Sequence, residues 1–185
     1  MDNININDLW FYYLSISKDM ENTSLYVEPR EQENVYSLEF CKIIVLSCVE
    51  LETVLKAICY KAEGGKHGDI GDYKKVILSH FPKIVEAEVI VSRYEKTIKP
   101  FESWNNRLFW WDAYQTVKHG FGDSFKAGTY KNAVYALAAL YISILYYMRI
   151  TNSKLSTYNN GYLTSDYEDH VLSIGGLKQL PDFNN

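Results

Sequence analysis

Residues 132–148 run for seventeen positions without a charge. An uncharged stretch of that length has to be hidden, inside either a protein or a bilayer. A spanning helix needs about 20 predominantly apolar residues. This run is shorter and carries four tyrosines, Ser143 and Asn132. Ala133, Ala136, Ala138 and Ala139 leave a smooth surface on which a neighbouring helix can lie close. The segment, extended to about residue 150, therefore reads as a core or dimer-interface helix rather than a membrane span. The rest of the chain must then supply the helices that cover it.

Residues 5–20 are amphipathic, with Trp10 and Tyr13 on the apolar side, until Pro29 and the charged run EPREQEN break the chain. The strongest helical pattern covers 36–62 and is closed by Gly64 and Gly65. Its polar residues Glu39, Lys42, Ser47, Glu50 and Thr53 gather on one side. Cys41, Cys48 and Cys59 share a stripe of that helix, too far apart to bridge one another. With no CxxC and apolar neighbours, they read as buried, reduced thiols.

A short helix is expected over 71–80, stopped by Pro82, and another over 104–118, after Pro100. Residues 88–94 (EVIVSRY) are β-branched and fit a strand or a helix start, a choice the periodicity leaves open. HGFGD (119–123) reads as a loop, with Asp123 or Ser124 capping the final long helix. Beyond residue 151 the composition turns to Asn, Ser, Thr and Tyr, and Asn160–Gly161 is a hairpin signal. With no βαβ alternation, this is an all-α chain: a bundle of four to five helices over 1–150. A small β-ribbon or irregular extension over 151–185 is expected to pack on the same domain.

The net charge of −4 excludes a bulk positive field, so any nucleic acid would have to find a local patch. Tyrosine supplies sixteen of the aromatics, and it suits half-buried positions at a cleft or an interface. The N-terminus MDNININDLW lacks a basic region followed by an apolar run, so a cytoplasmic location is expected.

Candidate chemistry centres on WNNRLFWWDAYQTVKH (104–119), which holds three of the four tryptophans. Trp104, Leu108, Trp111 and Gln115 form a stripe leading towards His119, while Trp110, Tyr114 and Val117 lie opposite. An imidazole gives and takes protons near neutral pH, and Lys118 beside it can hold a phosphate. The plainer reading carries more weight on sequence alone: Lys118 and His119 complement the negative end of a helix ahead of a glycine cap. Glu52 breaks the apolar stripe of its helix and needs a partner. Lys56, four residues on, is the expected one, with His119, Lys118 or Arg107 across the bundle as the alternative. GGKHGDIGD (64–72) lacks the spacing of a phosphate loop and follows a helix, so it reads as a helix stop. Histidines at 67, 80, 119 and 170 show no HxxxH or HExxH, and neither a metal nor a cofactor is expected.

The succession ELETVLK, then WWxAYQxVKH, then an alanine-rich closing helix resembles bacterial members of the HEPN superfamily over roughly residues 36–150. The resemblance implies a helical bundle that dimerises. It further implies a metal-independent endoribonuclease of toxin–antitoxin, abortive-infection or other defence systems. In the family's RNxxxH motif the histidine falls at His119, Gln115 stands where asparagine often is, and Tyr114 stands at the arginine position. That arginine stabilises charge developing on the phosphate during attack by the ribose 2′-OH. Here Lys118 or Arg107 would have to take its place, with Gln115 and Glu52 orienting and His119 as acid and base. Two other readings stand beside this one. The first is a catalytically degenerate HEPN-like module that binds RNA, a nucleotide or a protein partner. The second is a structural helical homodimer.

Overall fold

The computed structural model describes residues 4–28, 30–65, 67–91, 96–120, 123–153 and 155. They form five α-helices and one short hairpin: α1 (Ile6–Thr23), α2 (Leu38–Glu63), α3 (Ile70–His80), β1 (Val89–Val91), β2 (Lys96–Ile98), α4 (Phe109–His119) and α5 (Tyr130–Thr151). The uncharged run is the core. Residues 136–148 of α5 are buried without a break, and α1, α2 and α4 pack on it. By length and hydropathy α5 could cross a membrane, yet 83% of its most apolar window is covered by the protein itself. α2 lies against all four other helices. Its Ile43, Ile44, Leu51, Leu55 and Ile58 are fully buried, each contributing about 1.5–3 kcal/mol relative to exposure.

Local chemistry sets the helix ends. Asn5 accepts the Asn7 N–H, Ser37 the Phe40 N–H and Thr129 the Asn132 N–H, so α1, α2 and α5 each start on a side-chain cap. α2 stops at Gly64, whose φ of +74° suits a residue without a Cβ. Asp69 then caps α3 by accepting the N–H groups of Gly71 and Asp72 at 2.8 and 3.1 Å. The glycine-rich 64–72 stretch is thus punctuation between two helices, as its composition suggests.

Several expectations change. α4 begins at Phe109 rather than 104, because Trp104 leaves the helical path to stack on Phe101 at 4.6 Å in the preceding turn. Asp123 and Ser124 do not start the last helix: they open a 3-10 turn over Asp123–Ala127, and Thr129 is the cap. Ser47, placed by pattern on the polar side of α2, is fully buried. Packing of α5 against α2 overrides the amphipathic count there. Of the ambiguous β-branched stretch, Val89–Val91 forms β1, antiparallel to β2, with Val89 opposite Ile98 and Val91 opposite Lys96, and 92–94 lie outside the described residues. Val89, Val91 and Ile98 are buried. The Asn160–Gly161 hairpin and most of the 151–185 extension lie outside the described residues.

Candidate functional site

The site is built from the start of α4. Phe101 meets Trp110 edge-on at 6.0 Å, and the buried Trp110 indole donates from Nε1 to the Pro100 carbonyl at 2.8 Å. That contact fixes the rotation of α4 about its axis. Trp111 and Tyr114 consequently turn inward, their rings 5.0 Å apart. Tyr114 is only 1% exposed, and its hydroxyl donates to Glu52 Oε1 on α2 at 3.1 Å. One turn on, the Lys118 Nζ lies over the Tyr114 ring, 5.1 Å from its centroid. Glu52, Tyr114 and Lys118 therefore form a chain of contacts from α2 to the last turn of α4.

The expected Glu52–Lys56 pair does not form. Glu52 reaches across the bundle, but to a tyrosine rather than to His119, Lys118 or Arg107. A half-buried carboxylate gains more from a fixed hydroxyl than from a lysine whose amine can extend into water, and Lys56 is exposed. The electrostatics follow the geometry. Burial pushes the Tyr114 phenol up while Lys118 pulls it down. Contact with Tyr114, with the Glu52 charge beyond it, holds the Lys118 amine above its ordinary value.

His119 is the last residue of α4 and is exposed beside Lys118, with Gln115 half-buried one turn earlier. Past His119 the chain turns at Gly120, where a Cβ would sit 2.5 Å from Ser124 Cβ and 2.6 Å from the Thr116 carbonyl oxygen. Gly120 therefore lies close against both Ser124 and the last turn of α4, where a side chain would not fit. Arg107 belongs elsewhere. It precedes α4, pairs with Asp112 and has an 80% exposed side chain, at the far end of a helix about 16 Å long. Of the five candidate residues, the fold links Glu52 to Lys118 through Tyr114, places Gln115 and His119 on the same last turns of α4, and leaves Arg107 at the other end of the helix.

Tyr114 is the residue that sequence reasoning missed as a structural link. The signal was present in its spacing, four residues after the buried Trp110 and four before the exposed Lys118, on the seam between core and surface. A concavity lined by Glu31, Gln32, Asn34, Val35 and Tyr36 contains none of the candidates. Chemically, the end of α4 offers an oriented ammonium and a solvent-facing imidazole, a pair suited to holding a phosphate oxygen. It offers no cation at position 114, where a tyrosine, which carries no positive charge, is buried against Glu52. Comparison with protein-family models, curated proteins and solved structures finds no match.

Proposed function

We propose that the protein is an HEPN-like helical module that binds RNA at the last turn of α4 and does not cleave it. One observation carries the reading: at the position of the family's arginine, Tyr114 is buried with its hydroxyl on Glu52, and the nearest cation, Lys118, is drawn over the same ring. A ribonuclease of this kind needs positive charge aimed where the phosphate becomes more negative in the transition state. Arg107 cannot supply it from the same chain, being tied to Asp112 at the opposite end of the helix. Lys118 and His119 still present charge-assisted donors to a phosphate backbone, so binding survives the loss of chemistry. Defence or toxin–antitoxin function would then run through occupancy of RNA rather than its destruction.

The test is incubation of mixed-sequence RNA with purified protein in EDTA, wild type beside His119→Ala, with binding and products measured in parallel. Bound, intact RNA for the wild type is the expected result. Cleavage by the wild type that disappears in His119→Ala would replace this reading with the metal-independent ribonuclease.

A further inference from the structure

Two phenylalanines stand exposed near the two ends of α4, and their surroundings differ. Phe109 is 40% exposed, but Tyr135 meets its ring at 4.8 Å and the Lys131 Nζ lies 5.4 Å from its centroid. Phe125, in the 3-10 turn after the helix, is 44% exposed. Its ring joins neither the core nor any ring pair among the described residues. A single exposed ring is ordinary on a protein surface; this one is set apart by its mounting and its neighbours.

The Phe125 backbone is held from inside. Its carbonyl accepts the Gly128 N–H at 2.9 Å and the thiol of the buried Cys41 at 3.8 Å. One residue earlier, Ser124 donates its hydroxyl to the Gly120 carbonyl at 3.2 Å. The turn is thereby tied to α2 and to the end of α4 while the ring stays in solvent. It also carries the ring to the cations. Gly120 follows His119 and lies against Ser124, which precedes Phe125. The Cα atoms of His119 and Phe125 are therefore within about 13 Å of each other. Lys118, His119 and Lys126 are all exposed around the ring. An apolar anchor of a partner protein would sit in a wider apolar patch. An exposed ring among phosphate donors is instead the arrangement that receives an unstacked base beside its own backbone.

We infer that Phe125 is a stacking platform for a nucleobase, and that the strand whose phosphates meet Lys118 and His119 is single. This contact rests on the RNA reading above and adds a base to it. Phosphate donors alone would take single and double strands alike, since they carry no base information. A paired base inside a duplex has no free face to lay on the ring.

The test is affinity in EDTA, across a range of salt, for a short mixed-sequence single-stranded RNA and for the same strand annealed to its complement. The wild type should prefer the single strand at least about tenfold. Phe125→Ala should lose that preference, with the slope of affinity against salt unchanged because no phosphate contact is removed. Phe125→Tyr keeps a ring and should bind as the wild type does. Phe125→Leu, apolar but without a π-face, should behave like Phe125→Ala. Salt-dependent binding that ignores Phe125→Ala, that Phe125→Leu preserves, or that is equal for the two RNAs overturns the stacking contact and leaves the RNA reading standing. Absence of binding to either RNA overturns both.

Discussion

At the scale of single residues, two close contacts decide what the chain tolerates. Tyr114 joins a buried ring to the Glu52 carboxylate. Tyr114→Phe keeps the ring and removes the donor, which should cost about 1–2 kcal/mol of stability in urea unfolding. An unchanged midpoint would mean the bond contributes nothing. Gly128 is the second case. A Cβ there would sit 2.2 Å from Cys41 Sγ and 3.1 Å from the Cys41 nitrogen. Gly128→Ala should therefore destabilise by about 1–3 kcal/mol through overpacking. Adding Cys41→Ala removes the sulfur and should recover much of the loss; no recovery would show that the backbone, not the thiol, is the obstacle. Neither contact is legible in the sequence, because each joins positions more than sixty residues apart.

At the scale of elements, the helices divide by how locally they are specified. α1, α2 and α3 announce themselves through three-to-four-residue apolar spacing, with a glycine stop after α2 and Pro82 after α3, and their ends fall within a few residues of the expected ones. α4 is harder to read. Trp104 fits the stripe by spacing, but its ring finds better packing on Phe101 outside the helix. Trp110 is the anchor that periodicity could not single out from its two neighbouring tryptophans. Trp110→Ala should cost about 3–5 kcal/mol and free the last turn of α4, seen as faster amide exchange at Lys118 and His119. Unaltered exchange there would separate the helix end from its aromatic base. Within the core, Ser47 and Ser143 hold hydroxyls with no hydrogen-bond partner among the described residues. Ser143→Ala should raise stability by about 1 kcal/mol, and a clear loss would reveal a bond that the static arrangement hides.

At the scale of the whole molecule, the tyrosine-rich core makes stability depend on pH at the alkaline end. Burial raises the Tyr146 phenol from 10.0 to about 12, pushes Tyr13 up as well, and raises the Cys59 thiol from 9.0 to about 12. These groups keep their protons in the folded chain while the unfolded chain releases them. Stability is therefore full below about pH 9 and falls as pH rises towards about 12. Urea midpoints should drop steadily from neutral pH to about pH 11; a flat profile would show that these groups ionise without unfolding. Fold class was readable because an uncharged helix must be covered. Of the candidate site, the sequence shows the identities of His119 and Lys118, whereas the Tyr114–Glu52 contact is made only in space.

The most direct test of an RNA-binding, non-cleaving module is the salt dependence of RNA affinity in EDTA, wild type against Lys118→Ala. The wild type should bind intact RNA with affinity that falls as salt rises, and Lys118→Ala should bind more weakly with a slope shallower by about one. RNA affinity that is absent, or identical in slope and strength for the two proteins, would contradict the placement of the site at the end of α4.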